Sequence, residues 1–188
     1  MDLLTMHLLS AQRCVAITEE LRNAAGGAAT VYGRGEGGAV HSNIRKTTRL
    51  EPSRETRDLV RHAFVSVMEQ LSSHFGRPVS VCEEPQFLRY QPGDYFVAHQ
   101  DGNTPLIFDD SRHRKISAIV FLSRPLRDDD SGDFSGGELV FHGGPAEPSL
   151  RVPVAGEQGM LVAFPPELTH EVMPVVSGVR YSIATWYR

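Results

Sequence analysis

The chain has 188 residues, 40% hydrophobic and 22% charged, with 17 glycines and 12 prolines; this is the make-up of a single folded, loop-rich domain and excludes a disordered or fibrous chain. A formal net charge of −4 leaves no general basic footprint for nucleic acid. No apolar run approaches the ~18 residues of a membrane span, and the N-terminal stretch carries Asp2 and Arg13 with no small-residue cleavage site, so no export signal is expected. Cys14 and Cys82 stand far apart without a C-x-x-C arrangement, which argues against a disulfide framework or a zinc site and for a soluble protein of a reducing, cytoplasmic setting.

In chain order, Ser10 precedes a helical pattern marked by Val15, Leu21 and Ala25, with Gly26-Gly27 as its stop. The segment Gly33–Arg49 is dense in glycine and reads as a mobile hairpin or lid. Ser53 is placed to cap a second helix, in which Val60, Phe64, Val67, Leu71 and Phe75 mark one face before Gly76 and Pro78 end it. After Pro78 the chain changes to short β-rich runs: Gln86–Tyr90, Tyr95–His99, Ile116–Ser123, Glu138–His142, Leu150–Val154, Met160–Phe164, His170–Val172 and Arg180–Tyr187. Helices followed by strands with glycine-rich gaps predict an α+β, mainly β domain: a double-stranded β-helix, or jelly roll, with the N-terminal helices packed on one sheet. The expected division is 1–78 as helical support and mobile loop, and 79–188 as the jelly-roll core. Both alternating sets of Ile116–Ser123 are mostly apolar, as suits a strand with one face in the barrel and the other under the second helix. The acidic stretch Arg127-Asp128-Asp129-Asp130 reads as a solvated loop.

Chemistry concentrates in RYQPGDYFVAHQDGN and FPPELTHEVMP. His99 and Asp101 project to the same side of a strand end, and His170 returns several strands later. Two histidines and one carboxylate form the donor set of a facial triad, which leaves positions of an Fe(II) ion open for oxygen and a co-substrate. On the last strand Arg180, Ser182, Ala184 and Trp186 share one face, and Tyr181, Ile183, Thr185 and Tyr187 the other. An arginine facing a barrel interior needs an anion, either a bound dicarboxylate or a protein carboxylate such as Glu138 or Glu171. His142 is a weaker candidate ligand, and His7, His41, His62, His74 and His113 read as ordinary histidines.

These stretches, with KISAIVFLS, SGGELVF, VPVAGEQGMLVAF and THEVMPVVSGVRYSIATWY, resemble the 2-oxoglutarate- and Fe(II)-dependent dioxygenases, specifically their prolyl-hydroxylase-like branch. The resemblance implies His99, Asp101 and His170 as iron ligands, with Fe(II), O2 and 2-oxoglutarate as cofactor and co-substrates. It implies Arg180 on the distal carboxylate of 2-oxoglutarate, Tyr90 along the co-substrate and Trp186 near the metal pocket. Phe121 departs from the tyrosine that some relatives use to assist the arginine, which leaves Ser117 or Ser182 to supply a hydroxyl. Ile119, Phe121, Val140, Val172 and Trp186 are expected to line the pocket. The intact carboxylate of Asp101 favours hydroxylation over halogenation. The expected reaction is hydroxylation of a prolyl residue in a peptide or protein, with succinate and CO2 as products. The alternatives are a free amino acid or small natural product as substrate, a metalloenzyme that does not use 2-oxoglutarate, and a non-catalytic jelly roll that only binds metal or ligand. Arg45 and Arg49 are the candidate substrate contacts.

Overall fold

Two serines open the helices of the N-terminal part. In the computed structural model, which describes residues 1–29, 43–103, 109–126, 132–154 and 156–188, the Ser10 hydroxyl accepts the Arg13 amide at 3.3 Å and caps α1 (Ala11–Arg22). The Ser53 hydroxyl accepts the Thr56 amide at 3.2 Å and caps α2 (Arg54–Ser66). Each cap satisfies one of the amides that a helix start leaves without an internal partner. The buried face of α1 is Cys14, Ile17 and Leu21; Val15 is 48% exposed and Ala25 is exposed beyond the helix end, so the predicted face is corrected. The small apolar Cys14 keeps the three-to-four spacing that Val15 breaks.

The second helix is broken at Val67 into α2 and α3 (Met68–Phe75), where one continuous helix was predicted. At the break Val67 has φ −102° and ψ 1°, and the Ser66 hydroxyl turns back onto the Ala63 carbonyl at 2.7 Å. The Phe64 carbonyl there accepts the Val67 amide at 3.4 Å and the Tyr187 hydroxyl at 3.0 Å. A side chain inserted into the helix ladder is a recognised cause of such a kink. The predicted apolar face runs through it unbroken: Val60, Phe64 and Leu71 are fully buried, and Val67 and Phe75 pack against the same core. Gly76 closes α3 at φ 60°, a conformation that costs glycine little.

The strands are β1 (Leu4–His7), β2 (Gly26–Ala28), β3 (Arg45–Lys46), β4 (Thr48–Leu50), β5 (Gln86–Tyr90), β6 (Tyr95–His99) and β7 (Ile116–Phe121). They continue with β8 (Phe134–Gly136), β9 (Leu139–His142), β10 (Arg151–Val154), β11 (Met160–Phe164), β12 (His170–Val172), β13 (Val175–Gly178) and β14 (Arg180–Tyr187). All eight predicted strands are present, three of them shortened at an end. Six short ones, β1 to β4, β8 and β13, were not predicted, and the first four lie within the stretch expected to be helical support and loop. The predicted hairpin or lid at 33–49 falls partly on residues 30–42, and the acidic stretch on 127–131, both outside the described residues.

A major sheet in the order β1-β11-β7-β14-β5-β4-β2 faces a minor sheet in the order β10-β9-β12-β6-β3, and β8 and β13 pair separately. All of these pairings are antiparallel. Strand alternation then makes two cores. Ile116, Ala118 and Val120 of β7 with Tyr181, Ile183 and Tyr187 of β14 pack under the helices. Phe121, Ala184 and Trp186 face Leu139, Phe141 and Val172 of the minor sheet. This is the predicted jelly roll, with α2 and α3 covering the major sheet. Among the described residues no helix is long and apolar enough to cross a membrane.

Candidate metal centre and co-substrate pocket

Register brings the two histidines together. His170 of β12 is the direct cross-strand partner of His99 at the end of β6, and the ring centroids lie 4.2 Å apart. Asp101, two residues beyond the strand, stands beside both: Oδ1 lies 3.5 Å from His99 Nε2 and Oδ2 3.5 Å from His170 Nε2. One donor atom from each of the three residues lies within 4.8 Å of the others, and this is the one such group among the described residues.

The protonation of the set follows from its partners. His99 Nδ1 lies 2.8 Å from the Val97 carbonyl and His170 Nδ1 lies 2.9 Å from the Leu168 carbonyl. A carbonyl can only accept, so in each ring Nδ1 carries a proton, and Nε2 is the nitrogen turned toward Asp101. Burial, reinforced by the neighbouring His99 and opposed by Asp101, pushes His170 down to about 4. Burial alone would raise Asp101, but His170, His99 and Arg114 outweigh it and hold the carboxyl below the usual carboxylate range. Burial thus favours the neutral His170 ring and its neighbours favour the ionised Asp101, and metal ligation uses neutral imidazole and ionised carboxylate.

Asp101 lies outside any strand and is held from three directions. Its amide donates to the Pro166 carbonyl at 2.8 Å, its carbonyl accepts Arg114 Nη1 at 3.1 Å, and its Oδ2 accepts the Ser117 hydroxyl at 2.8 Å. Gly102 permits this close approach, because a Cβ there would stand 2.2 Å from the Ser111 carbonyl oxygen. Phe96 stacks on His99 at 3.5 Å between centroids, and Phe164 meets His170 edge-on at 4.6 Å.

Deeper in the barrel, Arg180 is 1% exposed. Nη1 donates to the Ser182 hydroxyl at 2.9 Å, while Nε and Nη2 have no hydrogen-bond partner among the described residues. Its guanidinium carbon lies 5.1 Å from the Tyr90 ring and 5.4 Å from the Phe121 ring. Burial pushes its pKa down, with Tyr90 and Glu138 pulling the other way. Neither candidate carboxylate bonds to it: Glu171 accepts His142 Nε2 at 2.8 Å, and Glu138 acts only through space. A buried guanidinium with free donors costs several kcal/mol unless an anion meets it.

The other predicted residues divide. Tyr90, Ile119, Val172 and Trp186 line the cavity beside the His-Asp-His set. Ser182 meets Arg180, whereas the Ser117 hydroxyl goes to Asp101 and not to the arginine. Val140 lies on the opposite face of β9 from Leu139 and Phe141, whose side chains fill the inter-sheet core, so strand parity removes it from the pocket. Arg45 is 7% exposed, borders the cavity and lies 4.7 Å over Phe96. Arg49 is away from that cavity, with Nε 3.6 Å from Glu51. Six cavity residues went unpredicted: Gln86, Leu88, Phe96, Gln100, Ser111 and Arg114. Gln86 shares the inward parity of Leu88 and Tyr90 and could have been found by it; Arg114 sits in an irregular connection with no sequence signal beyond its charge.

The 2OG-Fe(II) oxygenase superfamily model matches residues 85–188, more than half of the chain. The chain belongs to this superfamily. Members of the 2OG-Fe(II) oxygenase superfamily use Fe(II), 2-oxoglutarate and O2, and the donor set and the open arginine fit the first two. A PKHD-type hydroxylase of Paracoccus denitrificans is 33% identical over 104 residues, covering 54% of this chain and 41% of the relative. One of Cupriavidus metallidurans is 26% identical over 182 residues, covering 95% and 75%. The chain thus spans about two fifths of the first of these relatives and three quarters of the second. Among solved structures, a prolyl-4-hydroxylase of Pseudomonas putida matches with a TM-score of 0.70 at 22% identity, over 100% of this chain and 92% of that one. A viral collagen prolyl hydroxylase from Paramecium bursaria Chlorella virus-1, solved as a 2-oxoglutarate complex, matches with a TM-score of 0.63 at 22% identity, over 100% and 96%. These oxygenases share the double-stranded β-helix described above.

Proposed function

We propose that the chain is an Fe(II)- and 2-oxoglutarate-dependent hydroxylase acting on a prolyl residue of a peptide or protein. The observation that carries this reading is the pairing of the His99, Asp101 and His170 set with a buried arginine that has two unmatched donors. Nε2 of His99, Nε2 of His170 and a carboxylate oxygen of Asp101 hold the iron. The Ser117 hydroxyl donates to Oδ2 and fixes the rotation of the Asp101 carboxylate. Arg180, steadied by Ser182, receives the distal carboxylate of 2-oxoglutarate, and Tyr90 lies beside it. With iron, 2-oxoglutarate and O2 bound, the centre supplies oxidative decarboxylation to succinate and CO2 coupled to hydroxylation of a C–H bond. The chain's own residues hold three ligands on one side, orient the co-substrate from the barrel floor, and exclude water with Phe96, Phe164 and Trp186. The fold likeness to two prolyl hydroxylases and the PKHD-type hydroxylase relatives support the substrate class.

Anaerobic titration of the apoprotein with Fe(II) and then 2-oxoglutarate tests the cofactor. The expected result is a visible charge-transfer band, lost on His99→Ala and strongly weakened on Arg180→Met. Folded, metal-loaded protein without the band overturns the 2-oxoglutarate reading. Succinate release stimulated by proline-containing peptides tests the substrate, and stimulation only by free amino acids or small metabolites overturns the prolyl assignment.

A further inference from the structure

Register fixes His99 against His170, but no strand pairing fixes the backbone of Asp101, because β6 ends at His99. The segment 100–103 is tied instead to the turn that precedes His170, residue by residue. Gln100 Nε2 donates to the Glu167 carbonyl at 2.6 Å, the Asp101 and Gly102 amides donate to the Pro166 carbonyl at 2.8 and 3.3 Å, and Asn103 Nδ2 donates to Glu167 Oε2 at 3.3 Å. Gln100 Nε2 also reaches the Thr169 hydroxyl at 3.3 Å. Asn103 adopts φ 54°, a left-handed conformation that asparagine accepts more readily than most residues, and from it the amide turns to Glu167.

Glu167 is itself held from the helix layer. Arg77, just beyond α3, puts Nη1 on Oε2 at 3.0 Å and Nη2 on Oε1, a bidentate fork, while the same Nη1 donates to the Lys115 carbonyl at 3.0 Å. Lys115 directly precedes β7, the strand that carries Ser117 to the Asp101 carboxylate. One carboxylate therefore joins the helix layer to both turns that deliver metal ligands.

We infer that Glu167 is a positioning residue of the metal centre, clamped by Arg77, and that it sets the placement of Asp101 against His170. This rests on reading His99, Asp101 and His170 as the metal ligands. Glu167→Ala removes the Arg77 fork and the Asn103 bond but leaves the bonds to the Pro166 and Glu167 carbonyls, so the turn loosens without dissolving. Supporting contacts of this kind are commonly worth about 10- to 100-fold in metal affinity. For a surface turn tied by several bonds, about tenfold is expected.

The test is Co(II) binding to wild-type apoprotein and to Glu167→Ala, Glu167→Gln, Arg77→Met and His99→Ala, followed by calorimetry and by the visible Co(II) spectrum. Thermal melts of the apoproteins confirm folding. The expected order of affinity is wild type, then Glu167→Gln and Arg77→Met, then Glu167→Ala, with altered ligand-field bands in Glu167→Ala. Should Glu167→Ala fail to fold, Glu167→Gln and Arg77→Met carry the comparison. Wild-type affinity and an unchanged spectrum in the folded variants overturn the clamp while leaving the metal centre standing. Wild-type protein that binds no more Co(II) than His99→Ala overturns the metal reading and the clamp with it.

Discussion

The guanidinium carbon of Arg114 lies over Trp186, 3.7 Å from the ring centroid, with all three nitrogens engaged. Nε and Nη2 hold the Glu83 carboxylate at 3.1 and 2.8 Å, and Nη1 holds the Asp101 carbonyl at 3.1 Å. Trp186 is the single tryptophan of the chain and lines the cavity beside the His99, Asp101 and His170 set, so tryptophan emission reports on its surroundings there. Arg114→Lys keeps the charge but cannot reproduce the planar fork and the stacking together. We expect a changed Trp186 emission maximum in Arg114→Lys and weaker metal binding, by roughly fivefold or more for a lost charge-assisted bond. Steady-state fluorescence and a metal titration check this, and a lysine variant with wild-type emission and affinity contradicts it.

The two inward serines should separate by phenotype. Ser182→Ala leaves Arg180 Nη1 without its hydroxyl and should raise the KM for 2-oxoglutarate about fivefold, roughly 1 kcal/mol, with metal affinity unchanged. Ser117→Ala frees Asp101 Oδ2 and should weaken the metal by a similar factor, with little change in KM for 2-oxoglutarate once metal is saturating. Succinate-release kinetics together with metal titration distinguish the two, and an exchange of these phenotypes would mean the serines had been assigned the wrong way round.

Tyr187→Phe removes the hydroxyl that meets the Phe64 carbonyl at the helix break. Tyr187 is fully buried, on the helix side of β14, so the cost should be purely one of stability, about 1–2 kcal/mol. Denaturant melts should show a lower midpoint with an unchanged slope, and metal binding should be preserved.

Glu20 of α1 caps α2 from outside, accepting the Ser53 amide on Oε1 and the Thr56 hydroxyl on Oε2. Partial burial raises its pKa, but the bonds from Thr56 and Ser53 prevail and leave it below the ordinary value. A depressed folded pKa means that the contribution is complete above the unfolded value, ~4.3, and is lost as pH falls through the lower folded value. Glu20→Gln should therefore be less stable than wild type at neutral pH, by about 1 kcal/mol, and the gap should narrow on acidification below that point. Melting temperatures of both proteins across pH 3 to 7 measure it, and a gap that does not depend on pH contradicts the assignment.

Most of the site was legible because its residues obey strand parity. Arg180, Ser182, Ala184 and Trp186 fall on one face of β14, and His99 sits at a strand end with Asp101 on the same side. What escaped depends on contacts that periodicity does not encode. Val15 and Cys14 fit one helix equally well until the sheet beneath chooses between them. The break at Val67 is made partly by a hydroxyl from the far end of the chain. The unpredicted strands have two to four residues each, too short for alternation to show. Arg49 and Arg45 look alike in sequence, yet they lie on strands of different sheets, and only Arg45 borders the cavity.

The two faces of β14 also govern how this protein can change over evolutionary time. Substitutions at the inward positions can retune what the cavity accepts while the helix-packed face continues to specify the fold. An inserted or deleted residue in 180–187 has no such freedom. It would carry the arginine under the helices and a tyrosine into the cavity, and fold and chemistry would fail together. Lineages of this chain should therefore diversify by exchange of residues along this strand and keep its length fixed.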